Sequence, residues 1–236
     1  MKVGIHQPHY FPWLGYLDKM AKSDKFIILD DVQLTDNSNM FRNRFLTKNK
    51  TVKYLTIGYR KKNYLEKKYN QIEINDDISW QINHANFIID NYKKSPYFDE
   101  VWDFIKQIFN KNYSHLYEVT IESIMILKQI FEIKTDIILQ STLNYDQNAT
   151  KNELLINLCV LVDAEVYLSG IGAKNYMKTD IFEKQGIKVE FQSYSTLEYK
   201  QFNTSEFIPN LSALDLLFNC GIQRSRELFW KNIKDY

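Results

Sequence analysis

The chain has 236 residues, enough to bury a substantial core as one α/β domain with or without a helical insertion. Its 30 Lys and Arg residues against 29 Asp and Glu residues give a net charge of +1, so charge singles out neither nucleic acid nor an anionic membrane as the partner. The sequence lacks a run of 18 apolar residues and a signal-peptide pattern, and we interpret its two cysteines as reduced, structural thiols. We therefore expect a cytoplasmic protein without membrane insertion.

The first 44 residues predict a strand, a loop, a helix and a second strand. The first strand, residues 3–5, leads into a loop at 6–16, and apolar residues at helical spacing precede the second strand at 26–29. The loop carries histidine and glutamine side chains that are costly to bury without partners. We interpret it as a binding site, because ligands of open α/β sheets bind at the carboxyl ends of strands.

The rest of the chain predicts one more strand, a helical stretch and a return to α/β order. Residues 53–57 alternate as a strand, and residues from about 78 to 132 have the spacing of long amphipathic helices. The sequence then predicts a helix at 150–161, a strand at 165–168, a loop at 169–173, a short helix and a strand at 187–191. The predicted fold class is α/β, one domain over 1–236, with a mostly parallel open sheet of Rossmann-like or nucleotidyl transferase-like order and a helical insertion.

Three side chains at the ends of the first two strands are candidate catalytic residues. His6 follows the first strand, where a neutral imidazole can take the proton of an attacking amine, and Asp30 follows the second, where its carboxylate can orient that imidazole. Structural alternatives stay open: a histidine bonded to backbone, and an aspartate capping a turn. His9 is the third candidate. We predict no metal site, because HxPH on an irregular loop does not aim two imidazoles at one ion.

Other polar and aromatic residues are candidates for substrate binding. Guanidinium and ammonium groups bind phosphate, aromatic rings stack on sugars, and glycines let backbone N–H groups approach a ligand. The predicted set is Gln7, Tyr10, Trp13, Tyr16, Lys19, Gln33, Arg42, Asn43, Arg44, Trp80, His84, Ser169, Gly170 and Lys174. Surface charge is the alternative for the arginines, a core position for His84 and a tight turn for the loop at 169–174. The basic run at 60–62 is interpreted as a solvated loop.

The parallel sheet also predicts where the candidates meet. Residues 6–16, 30–33 and 169–174 each follow a strand end, so we expect them to line one cleft. We expect Trp80, His84 and Tyr92 to face that cleft from the helical segment. Ser212 and Asp215 have the spacing of a capping box, which favours a structural role for both.

Seven sequence features together resemble the WbqC-like family: HQPHYFPWLGYLDK, SDKFIILDDVQ, FRNR, the Trp80-x3-His84 helix with Tyr92 and Ser95-Pro96-Tyr97-Phe98, YLSGIGAKNY, Tyr199-Lys200-Gln201 and NLSALDLLFNCG. The resemblance spans essentially the whole chain and is most specific at the opening motif. WbqC-like proteins are associated with gene clusters for bacterial O-antigen and other surface polysaccharides. The resemblance implies a role in that biosynthesis, with transfer of glycine or another acyl group to an amino sugar.

We predict an N-acyltransferase that transfers an acyl or aminoacyl group, such as glycyl, to the amine of a nucleotide-linked amino sugar. The expected donor is a thioester on an acyl carrier protein or coenzyme A, and direct attack by the amine requires no protein nucleophile. Two alternatives stay open. One is an ATP-dependent amide ligase, because Trp13 to Tyr16 occupy the place of the HxGH motif of nucleotidyl transferases. The other is a non-catalytic protein whose Tyr10, Trp13 and Tyr16 stack on a sugar.

Overall fold

The computed structural model describes residues 1–36, 38–75, 79–175, 177–202 and 204–234. Its strands are β1 (Lys2–His6), β2 (Lys25–Ile28), β3 (Arg42–Leu46), β4 (Val52–Thr56), β5 (Asp136–Leu139), β6 (Val166–Ser169) and β7 (Lys188–Phe191). Five of these strands form a parallel sheet in the order β5-β2-β1-β6-β7. The predicted α/β class with a mostly parallel sheet is confirmed. The predicted strand at 53–57 is β4, which pairs antiparallel with β3 in a separate hairpin.

The α-helices of the described residues lie between and after these strands. They are α1 (Leu14–Ala21), α2 (Trp80–Tyr92), α3 (Phe98–Ile105), α4 (Leu116–Ile130), α5 (Lys151–Leu161), α6 (Thr179–Glu183), α7 (Ala213–Cys220) and α8 (Ile222–Lys234). Helices α2 to α4 occupy the predicted helical segment, whose first residue, 78, lies outside the described residues. Within the described residues, none of the helices has the length and apolar character needed to span a membrane.

Strand β1 lies at the centre of the sheet and separates two apolar clusters. Val3 and Ile5 pack into the smaller cluster, which includes residues of α5. Gly4 and His6 lie on the opposite face, because successive residues of a strand alternate. A Cβ atom at Gly4 would lie 2.5 Å from the Ser23 hydroxyl oxygen, so only glycine allows the residues after α1 to pack this closely. The alternation therefore places the His6 side chain on the face of the sheet that α1 covers.

The larger apolar cluster joins the opening loop to the helical segment and the hairpin. Tyr10 and Phe11 are fully buried in this cluster, and Asn43 of β3 donates hydrogen bonds to both of their carbonyl oxygens at 2.9 and 2.8 Å. The N–H group of Phe11 donates to the Ser123 hydroxyl in α4 at 2.9 Å. The middle of the opening loop is thus anchored in the core, which fixes the direction of the residues on either side of it.

Candidate functional site

A cleft lies at the carboxyl ends of β1 and β6, which are parallel neighbours in the sheet. It consists of two cavities of about 570 and 530 Å³ that share His6, Lys19, Gly170 and Gly172 in their walls. A Cβ atom at either glycine would meet no atom within 4 Å, so ligand atoms can approach the backbone there. The strand order therefore places the loop after β6 beside the opening loop.

The two cavities differ in the side chains that line them. We call the larger one the α1 cavity; its wall carries aromatic and amide groups from Trp13, Tyr16, Gln192, Tyr194 and Asn210. We call the smaller one the α5 cavity; its wall carries the aliphatic side chains of Leu29, Leu154, Leu155, Ala173 and Met177. Each is large enough for part of a small molecule. His6 and Lys19 line both cavities and lie where the two meet.

Lys19 is the most unusual residue of the cleft. It is only 2 % exposed, and its Nζ atom donates a hydrogen bond to the carbonyl oxygen of Ile5 at 2.7 Å. Burial disfavours the ammonium form and lowers the pKa of Lys19 from 10.5 to about 7. Near neutral pH the side chain is therefore divided between amine and ammonium, which allows it both to accept and to donate a proton.

Two histidine rings and a tyrosine ring contact each other beside Lys19. The ring centroids of His6, His9 and Tyr16 are 4.8 to 5.1 Å apart. Burial, with a smaller contribution from Lys19, lowers the pKa of His6 to about 3, and burial lowers the pKa of His9 well below its usual value. The Nδ1 atom of His6 lies 2.9 Å from the carbonyl oxygen of Gln7. A carbonyl only accepts, so Nδ1 carries the proton and Nε2 is the acceptor of a neutral imidazole.

Two polar atoms of this ring cluster are buried without a hydrogen-bond partner among the described residues: Nδ1 of His9 and the hydroxyl of Tyr16. Tyr16 is 2 % exposed and lines the α1 cavity, and burial raises its pKa, so the phenol keeps its proton. Leaving such a group unsatisfied costs about 1–3 kcal/mol. The hydroxyl is therefore a donor that a ligand in the α1 cavity can satisfy.

The charge of the cleft favours an anionic ligand. Lys19 and Lys151 are the lysines among the described residues that line the two cavities, and these walls contain neither aspartate nor glutamate. Gln192 donates to the carbonyl oxygen of Gly15 at 2.8 Å and to the Asp18 carboxylate at 2.6 Å, which holds the wall after β7 against α1. Gln192 was missed from the sequence, although it follows a strand end as the other candidates do.

Asp30 does not contact His6, so its predicted orienting role is wrong. One of its carboxylate oxygens accepts a hydrogen bond from the N–H group of Ser141 at 2.9 Å, and the other accepts one from the Ser141 hydroxyl at 2.6 Å. Ser141 follows β5, the strand on the far side of β2 from β1. The carboxylate ties the ends of β2 and β5 together, which is the turn-capping alternative.

The expectation that Trp80, His84 and Tyr92 face the cleft is also wrong. All three are 2–4 % exposed and pack in the core. The Tyr10 hydroxyl lies 3.0 Å from Nδ1 of His84, and the Tyr92 hydroxyl donates to buried Asp215 at 2.9 Å. Large aromatic rings gain most from complete burial, and these polar tips find partners inside. Tyr10 is consequently a core residue too.

The remaining candidates are divided between the cleft and other surfaces. Gln7 lines the α5 cavity, as does buried Ser169. Lys174 and Gln33 are exposed, and Gln33 donates to the Leu65 carbonyl oxygen at 2.8 Å. Neither belongs to the walls of the two cavities. The cleft thus brings together His6, Gln7, Trp13, Tyr16, Lys19, Ser169 and Gly170. The His9 ring contacts the ring of His6.

The arginines of β3 do not lie in the cleft as a pair. The Arg42 guanidinium lies 4.3 Å from the centroid of the Tyr54 ring and lines a different cavity. Nη1 of Arg44 donates to the carbonyl oxygens of Pro209 and Asn210 at 3.4 and 3.5 Å. Asn210 lines the α1 cavity, so Arg44 stabilises one wall of this cavity without lining it. Within the described residues, no group of three or more His, Cys, Asp or Glu is arranged to hold a metal ion.

Comparisons with known proteins give the family. The model of the WbqC-like protein family matches residues 7–227. The chain is 31 % identical over 224 residues to Uncharacterized protein Rv1507c of Mycobacterium tuberculosis (strain ATCC 25618 / H37Rv), covering 94 % of this chain and 95 % of that protein. No solved structure matches the chain. The chain therefore belongs to the WbqC-like protein family.

Proposed function

We propose that the protein is an N-acyltransferase of bacterial surface polysaccharide biosynthesis, acting in the cytoplasm. It transfers an acyl or aminoacyl group, such as glycyl, from a thioester to the amine of a nucleotide-linked amino sugar. The observation that carries this proposal is the position of Lys19 and His6 at the junction of two cavities with different walls. A two-substrate transfer needs its proton-transfer group at such a junction.

The cavity walls indicate which substrate each one takes. The aromatic and amide side chains of the α1 cavity suit a sugar, with Trp13 and Tyr194 as rings and the Tyr16 hydroxyl as a donor. The aliphatic wall of the α5 cavity suits the acyl group and the thioester arm. The excess of lysine over carboxylate in these walls favours a substrate that carries phosphate.

In this proposal Lys19 takes the role of base that the sequence favoured for His6. An imidazole with a pKa of about 3 is a weak proton acceptor, whereas an amine with a pKa of about 7 is matched to neutral pH. The sugar amine attacks the thioester carbonyl, the C–N bond forms and the C–S bond breaks. The amine proton passes to Nζ of Lys19 and then to the departing thiolate. Nε2 of neutral His6 accepts a hydrogen bond from the attacking amine and orients it.

Mass spectrometry of reaction mixtures tests the proposal. The protein is incubated with nucleotide-linked amino sugars and with acyl and glycyl thioesters of coenzyme A and of carrier protein, with and without ATP. We expect an amide product without ATP, formed by the wild type and by the exposed-lysine control Lys94→Met, and slowed at least about 10²-fold in Lys19→Met.

The other outcomes identify the alternatives. A product that requires ATP would replace transfer with ligation by an amide ligase. Binding of the nucleotide-linked sugar to the cleft without turnover would favour the non-catalytic sugar-binding protein. Equal rates in Lys19→Met and Lys94→Met would remove Lys19 from the mechanism.

A further inference from the structure

A third cavity of about 950 Å³ lies beside the β3-β4 hairpin, and we call it the hairpin cavity. Its wall includes residues of both strands and of the segment 57–67 that follows them. None of its described lining residues is shared with the α1 or α5 cavity. A ligand of the hairpin cavity would therefore have a site of its own.

The hairpin cavity concentrates positive charge. Among the described residues, its wall contains five cationic side chains, which are Arg42, Arg60, Lys61, Lys62 and Lys67. The two carboxylates of the described wall already have partners: Asp36 accepts from the Tyr64 hydroxyl at 3.4 Å, and Glu73 lies 2.7 Å from Lys67 and 3.9 Å from Arg60. The described part of the wall keeps an excess of three positive charges, although the whole chain carries a net charge of only +1. Such an excess in a concave surface attracts a multiply charged anion.

Residues 60–62 are exposed, as the predicted solvated loop requires, but the backbone holds the start of this basic run in place. The N–H group of Arg60 donates to the carbonyl oxygen of Glu73 at 2.9 Å, and the N–H group of Asn75 donates to the carbonyl oxygen of Gly58 at 2.9 Å. Tyr59 and Ile74 form an antiparallel bridge between these bonds. The start of the run at 60–62 is therefore fixed at the mouth of the cavity.

An aromatic wall accompanies these charges. Tyr59 is half-buried, and its ring centroid lies 5.3 Å from that of Phe41 and 5.4 Å from that of Tyr64, both edge-on. These contacts hold the ring beside the basic run. Aromatic rings fixed in this way are stacking partners for planar ligand groups such as nucleobases.

We propose that the hairpin cavity binds a nucleoside diphosphate group. The side chains of Arg60, Lys61 and Lys62 take the phosphates, and the base packs against Tyr59. The combination of three excess charges with an aromatic wall selects a nucleotide over free phosphate, which the charges alone would also attract. The volume of the cavity is in the range of small-molecule sites. This inference rests on the hairpin cavity alone and does not depend on acyl transfer in the cleft.

Calorimetric titration with ADP, inorganic pyrophosphate and adenosine tests the inference. We expect the wild type to bind ADP in the hairpin cavity, and the triple variant Arg60→Ser/Lys61→Ser/Lys62→Ser to bind it there at least about tenfold more weakly. The control triple Lys48→Ser/Lys93→Ser/Lys94→Ser removes the same charge from exposed positions elsewhere and should change the affinity less than about twofold. Circular dichroism confirms that each variant is folded.

Two further variants separate the base from the phosphates and the two sites from each other. Tyr59→Leu should weaken ADP binding but leave pyrophosphate binding unchanged. Lys19→Met should leave ADP binding to the hairpin cavity unchanged, because Lys19 does not line that cavity. Absence of ADP binding to the wild type, or equal weakening by both triple variants, would overturn the inference. Loss of ADP binding in Lys19→Met would place the nucleotide in the cleft instead and would equally overturn it.

Discussion

Lys19 is a buried amine that donates a hydrogen bond to the Ile5 carbonyl oxygen at 2.7 Å. A buried lysine without a paired carboxylate lowers stability whenever it is protonated, so a structural role alone does not explain it. Methionine has a similar length and no charge. Substitution of Lys19 by methionine therefore separates stability from proton transfer.

We expect Lys19→Met to be more stable than the wild type, and most so at low pH. The folded-state pKa of about 7 is below the unfolded value of 10.5, so between these values the unfolded state binds more protons and wild-type stability rises with pH. The advantage of the variant is largest below pH 7 and shrinks above it by up to about 1.4 kcal/mol per pH unit. Urea denaturation of both proteins from pH 6.5 to 9.5 measures the difference. A pH-independent difference would mean that Lys19 has an ordinary pKa.

Asp30 gives a second prediction at the residue scale. Asp30→Ala removes the acceptor of two hydrogen bonds, from the N–H group and from the hydroxyl of Ser141, each worth about 0.5–1.5 kcal/mol. We expect the free energy of unfolding to fall by about 1–3 kcal/mol while the rate of amide formation by the folded protein stays within about threefold of the wild type. Denaturant titration and the product assay measure the two effects. A collapse of the rate without a loss of stability would restore Asp30 to the catalytic group.

At the scale of elements, the conformation of the opening loop depends on hydrogen bonds from the β3-β4 hairpin. The Asn43 amide donates to the carbonyl oxygens of Tyr10 and Phe11, and Phe11 has a φ angle of 39°, a conformation that L side chains rarely adopt. The loop between β1 and α1 therefore needs these bonds to hold its shape. This contact couples the separate β3-β4 sheet to the cleft.

We expect Asn43→Ala to lower both stability and activity. The loss of two buried hydrogen bonds should cost about 1–3 kcal/mol, and the loosened loop should reduce the rate of product formation because His6 and His9 flank the anchored residues. Asn91→Ala is a matched control, since the Asn91 side chain donates to Phe87 and accepts from the Lys48 N–H group away from the cleft. Chemical denaturation and the product assay compare the two. Equal activity in both variants would show that the hairpin does not hold the loop.

The elements were more predictable from the sequence than the partners of their side chains. Hydrophobic periodicity predicted β1, β2, β6, β7 and the helical segment, because local burial patterns determine such elements. The partner of the Asp30 carboxylate, Ser141, lies more than 100 residues away, beyond any local pattern. Likewise, the apolar face of α2 predicted a buried helix, but only the packed structure places Trp80 and His84 in the core.

For the cleft, too, the positions of elements were more predictable than the surroundings of their side chains. The strand-end rule located the opening loop and the loop after β6 correctly from the sequence, because parallel strands place their carboxyl ends at one edge. Lys19 was a candidate for anion binding, but its lowered pKa depends on burial by residues of other elements. The aliphatic wall from α5 was missed, since apolar residues at helical spacing look the same whether they line a cavity or a core.

At the scale of the whole molecule, buried His84 and half-buried His6 and His9 make the free energy of unfolding depend on pH in the acid range. Burial lowers the pKa of His6 to about 3, that of His84 to about 4 and that of His9 well below 6.5. The unfolded state binds protons below pH 6.5 while the folded state stays neutral at these sites, so stability falls as the pH falls from 6.5 toward 4.

We expect the free energy of unfolding to drop by up to about 1.4 kcal/mol per pH unit for each of these histidines. Urea denaturation between pH 7 and 5 measures the slope, in a range where most carboxylates remain ionised. His6→Gln should flatten the slope of the wild type by the contribution of one histidine. Equal slopes in His6→Gln and the wild type would mean that the pKa of His6 is not lowered in the folded state.

We propose that Lys19 transfers the proton during amide formation, and the pH dependence of a single turnover measures this role. With a nucleotide-linked amino sugar and an acyl thioester, the wild-type rate should rise with pH and level off above a midpoint near 7, where Lys19 becomes neutral. Lys19→Met should react at least about 10²-fold more slowly at the plateau, without that midpoint. A Lys19→Met variant with the wild-type rate and the same midpoint would show that Lys19 does not transfer the proton.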